Sequence, residues 1–218
     1  MEYKCLVFDL DGTIIDTSYG IIKSVNLSLL KENLPSLPYD KIIPYIGKGA
    51  KKLISSLFEI INIHDEKTYK SVCDNFYEYY SDFCDRKLRL LVDLQAILKL
   101  CRDKELILAI FTNKDTKFTT KILKTLKIDI EEIICPPQFP LKPDIEGIKY
   151  LMNKYKLGRN NIIIIGDSVV DYQTATNANT HCILVTWGFT ELNELKSCEK
   201  AIFLSDPLEL LKFFNYNI

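Results

Sequence analysis

The sequence carries almost no net charge. Its 28 lysines and arginines face 29 aspartates and glutamates, so no basic field marks it as a nucleic-acid binder. No apolar run approaches the roughly 18 residues needed to cross a membrane, and no secretory leader is recognisable, which makes a cytoplasmic location the expectation. C-x-x-C pairs are absent too. The seven cysteines, Cys5, Cys73, Cys84, Cys101, Cys135, Cys182 and Cys198, are scattered, odd in number and mostly set in apolar runs, so they are expected to be reduced core residues. Histidine is scarce: His64 and His181 are the only two. They stand far from the motifs below and are expected at the surface and at a sheet edge, so a histidine-based mechanism is not anticipated. Internal repeats, low-complexity tracts and long flexible linkers are missing.

What is present is a globular composition, 47% hydrophobic and 26% charged over 218 residues, enough for one domain or for a core domain with a smaller one inserted. Apolar runs at Cys5–Phe8, Leu106–Phe111, Ile133–Cys135, Ile162–Ile165, Ile183–Val185 and Ala201–Phe203 suit strands, several with no wet face, as in central parallel strands. Helical patterns such as Asp115–Leu126 and Asp144–Tyr155 lie between them. The alternation predicts an α/β fold with a doubly wound parallel sheet. Positions 9–105 separate the first strand from the second, far more than a crossover needs. Within that interval Tyr19–Lys31, Gly49–Ile61 and Asp65–Cys84 carry apolar residues at helical spacing, with Pro35, Pro38 and Pro44 at the joins. The expectation is a Rossmann-like core, residues 1–16 and 89–218, with an inserted α-helical cap, residues 17–88, crossed by short hinges near Asp16–Ser18 and Arg86–Leu90.

Polar residues cluster at the carboxyl ends of the strand-like runs: Asp9 and Asp11, Thr112 and Asn113, Asp167, and Thr186. That edge is where open α/β sheets bind ligands. If the extended chain continues through Leu10, alternation puts Asp9 and Asp11 on one side, and Gly12 lets the backbone turn. Two carboxylates facing one spot read as a hard-metal site or as an acid/base pair.

The stretch Phe8-Asp9-Leu10-Asp11-Gly12-Thr13, with Asp16 and Thr17 beyond, resembles the first motif of the haloacid dehalogenase superfamily. Phe111-Thr112-Asn113-Lys114 resembles the second, Lys142-Pro143-Asp144 the third, and Gly166-Asp167-Ser168-Val169-Val170-Asp171 the fourth. Taken singly, Asp11-Gly12 reads as a turn, Thr112-Asn113 as a helix cap, Lys142 as a solvated lysine, and Asp167 with Asp171 as a cap and first-turn acid. Four motifs in order along nearly the whole chain outweigh those readings.

The resemblance implies a Mg²⁺-dependent phosphatase. Asp9 would attack phosphorus, and Mg²⁺ would be held by Asp9, the backbone carbonyl of Asp11, and Asp167, with Asp171 supporting that shell. Asp11 would serve as general acid and then general base. The Thr112 hydroxyl, the Asn113 backbone N–H and the Lys142 ammonium would surround the phosphoryl oxygens. Tyr45-Ile46-Gly47-Lys48-Gly49-Ala50 resembles the cap loop of phosphoglycolate phosphatases, which makes Lys48 a candidate contact to a small anionic leaving group. The implied partner is a small phosphorylated metabolite, without nucleic acid or membrane, acted on by a monomer or homodimer. Pyrophosphatase, nucleotidase and sugar phosphomutase are the alternatives; the cap loop lacks the arginine that related mutases place there. A non-catalytic binding protein and a dehalogenase rank lower, since Asp9, Asp11, Lys142 and Asp167 are all present.

Four further features complete the reading. Trp187 is expected to pack over the sheet edge, and the aromatics Tyr69, Phe76, Tyr77 and Tyr80 to form cap core. Ala178-Asn179 stands where the family often has Ala-Gly, and Asn can adopt the left-handed conformation. The proline-rich segment Pro136–Pro140 precedes Lys142 and leaves the reach of that lysine open.

Overall fold

A computed structural model describes residues 3–217. The chain runs β1 (Cys5–Phe8), β2 (Ile15–Asp16), α1 (Ser18–Lys31), α2 (Tyr39–Ile42), a 3-10 turn (Ile43–Tyr45), α3 (Ala50–Ile60), α4 (Glu66–Phe83) and β3 (Arg89–Leu90). It continues through α5 (Leu94–Asp103), β4 (Ile107–Phe111), α6 (Thr116–Thr125), β5 (Glu132–Ile134), α7 (Glu146–Tyr155), β6 (Ile162–Gly166) and α8 (Val169–Ala178). It closes with β7 (His181–Val185), α9 (Leu192–Leu195), β8 (Ile202–Leu204) and α10 (Pro207–Asn217). The expected strands and helices have limits within two residues of these.

Six strands form one parallel sheet in the order β5-β4-β1-β6-β7-β8. The chain leaves β1 toward β4 and β5, then returns on the other side through β6, β7 and β8. The direction of winding therefore reverses at β1, and the loops after β1, β4 and β6 splay open around one crevice.

Burial explains the strand composition. In β1 the side chains of Leu6 and Phe8 face one layer, with Phe214, Ile97 and Ile122, while Cys5 and Val7 face the other, with Ile148, Leu151 and Ala175. Both faces are covered, so a strand with a polar face would bury unpaired groups. All seven cysteines are buried and unpaired, as expected. Asn179 ends α8 in the left-handed conformation at φ 55°, the role foreseen for it. Among the described residues no helix is long and apolar enough to cross a membrane.

The helices between β2 and β3 form the cap. Its apolar residues, including Val25, Leu29, Leu57 and Phe76, belong to the same buried cluster as Leu6 and Phe8, so cap and sheet share one core. The expected hinges are more ordered than simple crossings: Ile15–Asp16 pairs antiparallel with Arg89–Leu90, and Arg89 donates to Asp16 at 3.1 Å. Where the chain enters and leaves the cap, the two segments meet as a ribbon. A short helix and a 3-10 turn also occupy Tyr39–Tyr45, a stretch read from sequence only as proline-rich joins.

Candidate active site

Asp9 follows the central strand, and its backbone N–H still donates to Ile165 O at 2.8 Å. The sheet thus delivers its carboxylate to the middle of the crevice. Asp167 and Asp171 arrive from the end of β6 and the first turn of α8. One carboxylate oxygen from each of Asp9, Asp167 and Asp171 lies within 4.8 Å of the others, and all three residues are buried. Lys142, from the loop before α7, reaches in: its Nζ stands 2.9 Å from Asp9 Oδ1 and 2.5 Å from Asp171 Oδ1. The proline-rich approach does not hold it back.

Close backbone approach shapes this pocket. Gly12 has φ +81°, and a Cβ there would strike the Asp167 carboxylate and the Phe189 ring; a Cβ on Gly188 would strike Asp167 as well. Asp167 accepts from Thr13 Oγ1 at 3.2 Å and from the Phe189 N–H at 2.7 Å. Ser168, not Asp167, caps α8, in a reciprocal box with Asp171, whose Oδ2 accepts from the Ser168 N–H and hydroxyl. The helix-cap reading of Asp167 is therefore set aside, and its side chain is committed to the crevice. Asp171 lies within the carboxylate group rather than behind it, with both oxygens engaged, by Lys142 and by Ser168.

The second motif contributes in two ways. Thr112 is buried, and its Oγ1 accepts from the Lys114 N–H at 3.3 Å. The Asn113 side chain is a brace: Oδ1 accepts from Lys142 N at 2.6 Å, while Nδ2 donates to the Gly47 carbonyl at 3.0 Å and lies 3.3 Å from the Lys142 carbonyl. One amide thereby ties the second motif, the third motif and the cap loop together.

Asp11 points elsewhere than Asp9. Its Oδ1 accepts from Thr17 Oγ1 at 2.5 Å, and its Oδ2 pairs with Lys114 Nζ at 3.1 Å. Lys114 in turn donates to the Tyr80 hydroxyl, which comes from cap helix α4. Asp11, Lys114 and Tyr80 border a cavity of about 40 Å³ between cap and core, walled by Ile21, Ile46, Leu53, Phe76 and Phe118. Sequence reasoning missed Lys114, although it quoted the residue within the second motif, and it placed Tyr80 in the cap core without a polar role.

Lys48 departs from expectation. Its Nζ rests 5.5 Å from the centre of the Tyr45 ring, and its neighbours Gly47 and Gly49, not Lys48, line the cavity. The loop folds over the site with its backbone rather than its charge. His64 is exposed and His181 opens β7, with its ring against Tyr3. Trp187 is partly buried against the core and donates to Thr13 O, matching its packing role.

Electrostatics follow from burial. Loss of water pushes the Asp9 carboxyl up to about 7, against the pull of Lys142 and with further upward push from Asp171 and Asp11. Asp167 is raised well above its ordinary range, by burial first and then by Asp9 and Asp171. Burial works against the charge on Lys142, but Asp171 and Asp9 outweigh it and hold the ammonium above its usual range. For Lys114 burial is likewise outweighed, by Asp11 and Tyr80. Three buried carboxylates facing one lysine carry two uncompensated negative charges when ionised. An all-oxygen donor set with that excess fits a hard divalent cation such as Mg²⁺.

Residues 6–185 match the model of the haloacid dehalogenase-like hydrolase family. The chain is 28% identical over 220 residues to the phosphoglycolate phosphatase of Mannheimia succiniciproducens, covering 97% of this chain and 98% of that one. It is 29% identical over 193 residues to the phosphoglycolate phosphatase of Caulobacter vibrioides, covering 85% and 80%. The crystal structure of a predicted phosphoglycolate phosphatase from Haemophilus somnus superposes with a TM-score of 0.90 at 26% identity, covering 98% of each chain.

Proposed function

Because this chain belongs to the haloacid dehalogenase-like hydrolases, we propose that it is a Mg²⁺-dependent phosphatase that hydrolyses a small phosphate monoester, phosphoglycolate or a close analogue, through an aspartyl-phosphate on Asp9. The observation that carries this reading is the buried meeting of Asp9, Asp167 and Asp171 around Lys142 at the point where the sheet reverses its winding. Asp9, the Asp11 carbonyl and Asp167 would hold Mg²⁺, with Asp171 supporting them, and the ion would neutralise the charge of the ester dianion.

The protein groups then divide the work. An Asp9 oxygen bonds to phosphorus as the ester P–O bond breaks, and Asp11 gives its proton to the departing alcohol oxygen. Asp11 next takes a proton from water as that water attacks phosphorus and the bond to Asp9 breaks. Lys142, fixed by Asp9, Asp171 and the Asn113 brace, sits where phosphoryl charge spreads, and the Thr112 hydroxyl and Asn113 N–H complete the donor set. The cavity beside Asp11, about 40 Å³, has room for about three waters. The cavity would place a small leaving group beside Asp11, and the similarity to phosphoglycolate phosphatases is what supports phosphoglycolate as the substrate.

The test is phosphate release from phosphoglycolate, pyrophosphate, nucleoside monophosphates, sugar phosphates and an aryl phosphate, with Mg²⁺ and with chelator. Phosphoglycolate should lead in kcat/KM, chelator should stop turnover, and Asp9→Asn should abolish it in a folded protein. A lead for another ester would overturn the substrate, and turnover by Asp9→Asn would overturn the nucleophile.

A further inference from the structure

The acid/base carboxylate is held by a chain of buried contacts that begins in the cap. Tyr80 on α4 is 2% exposed and stacks on Phe76, with centroids 5.2 Å apart and planes at 14°, while Phe118 of core helix α6 meets its ring edge-on at 4.7 Å. Its hydroxyl accepts from Lys114, and Lys114 pairs with Asp11. Thr17, where the chain enters the cap, holds the other Asp11 oxygen. Both carboxylate oxygens are therefore fixed, one by the residue that precedes cap helix α1 and one through a lysine that the cap's longest helix orients. None of these contacts reaches Asp9, which Lys142 holds separately.

We propose that Lys114 and Tyr80 are positioning residues for Asp11, so that proton transfer depends on α4 being seated against the core while attack by Asp9 does not. This rests on the acid/base role given to Asp11 above. The lysine sets where the carboxyl stands relative to the ester and to the incoming water, and the tyrosine sets where the lysine stands. An ammonium on four rotatable bonds would otherwise sample several positions, and small displacements of a catalytic group are costly.

The two halves of the reaction separate in a pre-steady-state experiment with para-nitrophenyl phosphate, whose leaving phenolate needs no proton. In Lys114→Met, formation of the aspartyl-phosphate should proceed near the wild-type rate. The result is a burst of one nitrophenolate per site, then steady turnover slowed about 100-fold, as when general acid/base catalysis is lost. Phosphoglycolate, whose alkoxide must be protonated, should show no burst and should be slow from the first turnover. Tyr80→Phe keeps the ring and its stacking, so it guards against a folding defect, and should give the same pattern at about tenfold. Asp11→Asn is the reference. If it shows the burst-and-stall pattern and the other two variants do not, or if they lose burst and turnover in equal proportion, the positioning chain is wrong. If Asp11→Asn itself turns over normally, the acid/base reading falls and the chain falls with it.

Discussion

Without a divalent cation this protein should become less stable as pH rises, the reverse of what its ordinary carboxylates do. Burial pushes the Asp9 carboxyl up to about 7 in the folded state, against 3.8 for a free aspartate. A carboxyl raised in this way favours folding while it is protonated, and that contribution is lost as pH climbs from the unfolded pKa toward the folded one. Each pH unit in that window is worth about 1.4 kcal/mol per proton. Between about pH 5 and pH 7 the loss from Asp9 is then about 2 kcal/mol, since the group is half ionised at the upper end, or about 4–8 °C in Tm for a chain of this size. Asp167 is shifted in the same direction and steepens the fall. Asp16 and Glu132, held low by partners that outweigh their burial, contribute stability that is lost only as pH falls toward the unfolded carboxylate range, so they stay constant across this window.

The measurement is thermal unfolding in chelator from about pH 5 to pH 8, on wild type and Asp9→Asn. The variant cannot ionise at that position, so its Tm should fall less steeply, and by about pH 8 it should be the more stable protein. Adding Mg²⁺ should reverse the order, since a cation favours the ionised carboxylates, and should stabilise wild type more at high pH than at low. Parallel Tm curves for the two proteins in chelator would refute the reasoning, because they would mean that Asp9 reaches enough water or compensating charge to ionise normally.

Three further substitutions probe the same crevice and its surroundings. Lys142→Met leaves Asp9 and Asp171 without their shared cation, and should cost about 3–5 kcal/mol in urea denaturation of the metal-free protein and about 10²–10³-fold in kcat. Gly188→Ala puts a methyl against Asp167; Mg²⁺ titration of activity should show affinity weakened about 10–100-fold, with little change if the backbone after β7 can retreat. Lys48→Ala should change kcat/KM for phosphoglycolate less than about threefold, since its ammonium lies over Tyr45 outside the cavity; a large selective loss would show that the loop turns its charge inward over substrate.

Much of the fold was legible because its constraints are local or periodic. A run such as Ile162-Ile163-Ile164-Ile165 has no polar face to offer water, so it had to lie in a covered sheet, and four polar clusters at strand ends had to converge if those strands were parallel neighbours. The ribbon between Ile15–Asp16 and Arg89–Leu90 was not legible, because two residues a side carry no periodicity and the pairing spans the whole cap. The direction of the Lys48 side chain was not legible either, because spacing places a loop but cannot tell which way a side chain turns, and here the loop meets the site through the Gly47 carbonyl.

Tyr80 shows the harder limit. On a helical wheel it falls on the same stripe as Phe76, and a buried aromatic on a cap helix is read as packing, which it also is. Its second role depends on Lys114, 34 positions away, and on the fact that this lysine is buried and, among the described residues, pairs its charge with Asp11 alone. An ion pair buried this deeply gains little net stability over an apolar replacement, so packing energy alone gives no reason for a lysine there. Its placement against the carboxylate proposed here as acid and base does give one, and a role of that kind appears only when burial, partner and chemistry are read together.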